Sequence, residues 1–151
     1  MYLKKLYILT TIILFVFISN INASYSIESY PYDSSLTSIS KDLDFLDSNM
    51  YVLVKSISTE NFDTSGARNQ ISFINSLIYD LTEQSYNLSS EDADVAAALQ
   101  AILGFYKLSI IEANKYIDSK DSDDLISSIN AFSMGYTSSI NLRNIIFRQV
   151  N

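Results

Sequence analysis

Residues 35–58 read SLTSISKDLDFLDSNMYVLVKSIS, and the placement of their apolar side chains decides the fold. Leu36, Ile39, Leu43, Leu46, Met50, Leu53 and Ile57 recur at alternating steps of three and four. That is the stripe of an amphipathic helix, and it excludes the period-two alternation of a half-buried strand. Asp42, Asp44 and Asp47 lie off the stripe and are expected in solvent. After a polar connector, Thr59–Ser65, a second stripe appears: Ala67, Ile71, Ile74, Ile78, Leu81, Ser85 and Leu88. Reflected about Phe62, the two stripes superimpose, with Leu36 facing Leu88 and Ile57 facing Ala67. Such complementarity is what a helical hairpin requires.

The rest of the chain repeats the arrangement. A third helix is expected over about residues 91–118, and its core run VAAALQAILGFY (95–106) carries a single polar side chain. A fourth covers about 123–149, after the aspartate-rich turn 118–124. Reflection about Asp121 sets Val95 against Phe147, Ile102 against Ile140, Tyr106 against Tyr136, Ile110 against Phe132 and Ile117 against Leu125. Arg143, opposite Leu99, is the one misfit, and with Arg148 it is expected to pair at the rim with Glu91, Asp92 or Asp94. With helices at about 35–58, 66–87, 91–118 and 123–149, the reading is all-α: an antiparallel up-down-up-down four-helix bundle spanning residues 34–151. Thr64 or Ser65 is the expected N-cap of the second helix.

Composition agrees. The one proline, Pro31, sits in an aromatic stretch (residues 24–33) read as an extended tail, and the chain has only three glycines. The punctuation of an all-β protein is therefore missing. Exposed positions carry serine and asparagine more than glutamate and lysine. Their side chains compete for backbone hydrogen bonds, so the helices depend on their apolar seams.

The first 23 residues read as a secretory signal peptide. Lys4 and Lys5 give a positive n-region, and Leu6–Ile18 is an uncharged run too short for a span, which needs about 20 apolar residues. Ile21-Asn22-Ala23 offers a cleavage site; an uncleaved leader would instead tether the protein to the membrane. The localisation expected is extracytoplasmic, secreted or N-terminally anchored. Without Lys4 and Lys5, eight basic residues face seventeen acidic ones. That balance disfavours nucleic acid and anionic lipid surfaces as partners and leaves membrane contact to the leader alone.

Histidine and cysteine are absent. Ser-His-Asp and Cys-His nucleophile systems, two-histidine zinc motifs and disulfides are thereby excluded. No catalytic residue, metal ligand or cofactor is assigned. Ser38-Ile-Ser-Lys41 matches Ser-x-x-Lys but lacks the companion elements of penicillin-recognising enzymes. Asp118, Asp121, Asp123 and Asp124 lack the glycine and terminal glutamate of a calcium loop and read as caps. Asn87-Leu-Ser89 is a glycosylation sequon at an expected turn.

One layer invites a ligand. Tyr106 and Tyr136 are expected to face each other, with Gly104 and Gly135 within a turn. Their hydroxyls need partners, and mid-helix glycines cost about 1 kcal/mol each relative to alanine. Either Phe105 and Phe132 fill the room, with Ser109 or Ser133 bonding the hydroxyls, or an inter-helix cavity remains. The functional expectation is a non-enzymatic module binding a protein partner; the alternative is an extracytoplasmic carrier or sensor holding a small ligand at that layer.

Overall fold

The computed structural model describes residues 34–150, and the expected leader and tail lie outside them. Four long helices make up almost all of this region, with no strand among the described residues: α1 (Ser34–Ile57), α2 (Thr64–Tyr86), α3 (Ala93–Ser119) and α4 (Ser122–Val150). A 3₁₀ turn, Ser90–Asp92, leads into α3. The chain is all-α.

Every apolar seam residue of α1 from Leu36 to Ile57 is buried, and so are Ala67, Ile71, Ile74, Ile78, Leu81 and Ser85 of α2. Burying side chains of this size contributes about 1.5–3 kcal/mol each, which offsets the poor propensity of the serine-rich outer faces. Two hydrogen bonds fix the register of α1 on α2: Gln84 Nε2 donates to Asp42 Oδ2 at 2.8 Å, and Gln70 Nε2 to Asn49 Oδ1 at 3.0 Å. Consecutive helices pack together, α3 with α4 most extensively, and α1 also packs on α4.

The turns depend on a few residues. Asn61 takes a left-handed conformation (φ 74°), which asparagine tolerates better than most residues. The N-cap of α2 is Asp63, one residue ahead of the expected Thr64 or Ser65; its Oδ1 accepts from Ser65 N at 3.0 Å. Gly66 leaves room for that carboxylate, since a Cβ there would lie 2.7 Å from Asp63 Oδ2. Phe62 stacks on Tyr116 at 5.9 Å, and Lys120 Nζ lies 3.7 Å from the Phe62 ring centre. Lys120 ends α3 in the left-handed region (φ 58°). The aspartates that follow act as turn residues: Asp121 Oδ1 accepts from Asp123 N at 3.0 Å, and Asp124 Oδ2 from Ser119 Oγ at 2.7 Å.

The structure departs from the expected seam in the second half of α4. Leu125, Ile129 and Phe132 are buried as read, but beyond them the buried positions are Gly135, Ser139, Leu142 and Ile146. Tyr136, Ile140 and Arg143 are only partly buried, and Phe147 is 53% exposed. Two causes combine. A straight helix drifts about 20° per heptad from a strict 3.5 repeat. Gly135 and Ser139 also let α4 approach the Tyr106 ring, whose Cε1 lies 2.5 Å from where a Gly135 Cβ would stand.

The two mid-helix glycines of the second pair thus differ. Gly104 is exposed, with nothing within 4 Å of a built Cβ. Gly104→Ala is expected to stabilise dilute protein by about 0.5–1 kcal/mol through helix propensity. Gly135→Ala is expected to destabilise it by about 1–3 kcal/mol through overpacking on Tyr106. Urea denaturation of the two variants, side by side, checks both signs.

Candidate functional site

The most unusual chemistry in the described residues is a buried carboxylate. Asp47 lies on α1 one residue after Leu46, on the side of the seam that turns toward α4, and it is 2% exposed. The expectation that Asp47 is solvated is overturned. Its Oδ1 accepts a short hydrogen bond from the Tyr106 hydroxyl of α3. Its Oδ2 accepts from Ser139 Oγ at 2.7 Å and faces Arg143 Nη2 at 2.9 Å, both on α4. Arg143 Nη1 also pairs with the exposed carboxylate of Asp44. Three helices therefore converge on one side chain.

Arg143 is thus not at the rim with Glu91, Asp92 or Asp94, as expected; it reaches α1 instead. The rotation of α4 explains this, because it moves Arg143 off the α3 interface toward Asp44 and Asp47. Its Nε is buried and makes no hydrogen bond.

The electrostatics follow from burial. Loss of solvent pushes the Asp47 carboxyl up from 3.8 to about 6, against the lowering effects of Tyr106, Ser139 and Arg143. Burial, and then the Asp47 charge, raise the Tyr106 hydroxyl far above its ordinary value, so it remains a donor. Tyr136 is raised more mildly, again by burial first. Donors from α3 and α4 meet both oxygens of the carboxylate, and the cluster ties α1 to those two helices.

The residues singled out for a ligand are distributed differently from the reading. Tyr106 is fully buried and stacks on Phe132 at 6.2 Å, and Phe132 in turn lies 5.7 Å from Tyr136. Phe132 stands between the two tyrosines. Gly135 backs the Tyr106 ring, so the space left by its missing side chain is occupied by Tyr106 itself. Gly104 is on the exposed outer face of α3, away from this layer. Asp47, not Ser109 or Ser133, takes the Tyr106 hydroxyl; Ser109 pairs with Ser128, and Ser133 bonds the Ile129 carbonyl.

The weaker motifs also find ordinary roles. Ser38 Oγ donates to Asp42 at 3.3 Å, and Asn87 Nδ2 bonds the Glu83 carbonyl at the end of α2. No group of three acidic side chains among the described residues is placed to hold a metal ion.

A second feature faces outward. Along the groove between α1 and α2, Phe45 and Phe73 meet edge to face at 6.1 Å while remaining 52% and 44% exposed. The Asn49–Gln70 hydrogen bond follows, then the 53% exposed Val52. Beyond it is a shallow pocket of about 90 Å³ lined by Val52, Leu53, Ser56, Gly66, Ala67 and Gln70. Aromatic pair and pocket lie in line.

No protein-family model matches this chain, and neither a curated protein nor a solved structure matches it.

Asp47 makes stability depend on pH in an unusual direction for a carboxylate. Its folded value lies above its unfolded one, so between about pH 4 and 6 the native state binds more protons. The sign is therefore a loss of stability as pH rises through that window. The rise from 3.8 to about 6 corresponds to about 3 kcal/mol at most. Urea midpoints across about pH 4–7, which brackets the two values, are expected to fall more steeply for wild type than for Asp47→Asn. Tyr106→Phe strips one donor from the carboxylate and is expected to cost about 1–3 kcal/mol at neutral pH in the same assay.

Proposed function

We propose that this protein is an exported, non-enzymatic interaction module whose α1–α2 groove docks a segment of a partner protein. Its helices are taken to form an antiparallel up-down-up-down bundle. The hydrogen bonds from α1 to α2 support this, since Asp42 meets Gln84 while Asn49 meets Gln70. So do Ser85 with Gln100, Arg68 with Asp118, and Ser109 with Ser128 along the later pairs.

The observation that carries the reading is the half-exposed Phe45–Phe73 pair in line with the Val52 pocket. Aromatic side chains clustered at a surface groove are the usual anchors of protein interfaces. The partner expected is an apolar helix or extended segment with basic flanks. Asp42, bonded to Gln84 of α2, lies one turn before Phe45 on α1, and the whole chain carries a net charge of −7. Steering by opposite charge would speed encounter and make it salt-dependent.

Cross-linking in the extracellular fraction of the native host is the test. Wild type is expected to capture a specific protein, and Phe45→Ser with Phe73→Ser to reduce that capture at least about tenfold, the scale of a 1.4 kcal/mol anchor. The two rings are half-buried against each other, so a moderate fall in thermal stability is expected, and capture is compared at a temperature where both forms are folded. Equal capture by the double variant would remove the groove from the interface. The leader reading is checked separately: N-terminal sequencing of the exported protein is expected to begin at Ser24.

A further inference from the structure

The α1–α2 groove is not the only apolar surface that the fold leaves open. The buried face of α3 is Leu99, Ile102, Tyr106, Ile110 and Ala113. At 3.6 residues per turn, the opposite face is Asp94, Ala97, Ala101, Gly104, Leu108, Ile111 and Lys115. All seven are exposed, Leu108 by 46% and Ile111 by 53%. Their steps of three and four repeat a heptad seam on the solvent side of the helix.

The order along this seam is not random. Its first half is small, Ala97, Ala101 and Gly104, and its second half is large, Leu108 and Ile111. An acidic residue closes the small end, and a basic one closes the large end. We propose that this face pairs with the same face of a second copy of the chain, the two α3 helices running antiparallel about a two-fold axis near Tyr106.

The register centred on Tyr106 pairs six of the seven positions with one another and leaves Asp94 opposite Asp118, whose carboxylate Arg68 holds at 2.5 Å. Leu108 of each copy then sits over Gly104 of the other, and Ile111 over Ala101. The aliphatic stem of Lys115 covers Ala97 and carries its ammonium toward Asp94, one turn further on. Large side chains fall on small ones throughout, and each charged end meets its opposite. A two-fold interface requires this self-complementarity, because the same patch supplies both halves. Lys115 already holds Glu112 at 2.7 Å, so its ammonium is positioned along this flank. Lys107 lies at the edge and keeps its charge in water.

A parallel pairing would instead stack Leu108 on Leu108 and Gly104 on Gly104, leaving gaps at one end and Lys115 against Lys115. A lipid surface is the other apolar environment open to this helix, whose span of residues 90–119 is long and apolar enough to cross a membrane by length and composition. Only two large side chains lie on the exposed stripe, and charged groups bound it at both ends, which favours a protein surface. The seam from Asp94 to Lys115 is about 32 Å long by helical rise. A single-helix contact is at the small end of specific interfaces, so dissociation in the micromolar range is expected.

Sedimentation equilibrium of the purified protein from about 1 to 200 µM brackets that micromolar range and should show a monomer–dimer equilibrium, weakened at least tenfold by Leu108→Asp. Asp94→Lys and Lys115→Asp should each weaken it, and the double exchange in one chain should restore it. Because the chain has no cysteine, cross-linking reads the register directly. Ala97→Cys mixed with Lys115→Cys should form a disulfide dimer. Either variant alone should not, since like positions lie about 27 Å apart along the axis. A monomer at every concentration overturns the proposal. So does self-cross-linking of Ala97→Cys alone, or vesicle binding by a species that stays monomeric. None of these measurements involves Phe45 or Phe73, so loss of the groove reading and loss of this one are separable.

Discussion

The contact between Asp47 and Arg143 organises the rest of the molecule, because it is the point at which α1, α3 and α4 must agree. An unpaired charge in that position would be strongly unfavourable, whereas one met by an arginine, a tyrosine and a serine is tolerated. Such a cluster contributes little net stability compared with an apolar replacement of the same shape. Its effect is on alternatives. Sliding α4 by one turn against α1 would separate Arg143 from Asp47 and leave the buried carboxylate without its charge partner. Apolar seams alone tolerate such a slip, since leucine and isoleucine fit many neighbours. A polar group that fits only one arrangement selects among them.

Gly135 is the geometric counterpart of that electrostatic constraint. Tyr106 reaches Asp47 only by laying its ring across the α4 backbone, where any side chain would obstruct it. The burial of Ser139 beside the same carboxylate completes the adjustment. The rotation of α4 away from a strict heptad is therefore coupled to the polar cluster. One glycine gives the ring its place, the ring reaches the carboxylate, and the arginine balances the charge.

Much of the fold was legible in the sequence, and the reason is physical. The seams of α1 and α2 follow a strict repeat with few competing patterns, so period alone finds the buried residues and the helix limits to within a few positions. The reading went astray in α4, where a heptad template put Tyr136 and Phe147 in the core and Arg143 at the rim. The missed residue was Asp47. Its signal was present: it occupies the seam-flanking position seven residues before Val54, which is also buried. A bundle helix commonly buries a third position per heptad, and an arginine left over in an apolar stripe calls for a carboxylate from another helix. Gly104 and Gly135 looked equivalent because sequence shows a missing side chain without showing which face it is missing from.

The serine and asparagine side chains on the helix surfaces have a consequence for how the chain acquires its shape. Ser48, Asn49, Ser72, Thr82 and Ser133 turn back to bond carbonyls of the preceding turn in their own helices. In the isolated segment the same groups bond water or nearby backbone equally well, and so give the helix no lead over the coil. A chain emerging residue by residue from a ribosome, or threading any narrow channel, therefore carries no rigid rod that must first be pulled apart. Order waits until two seams are free to close on each other, and it then arrives for both at once.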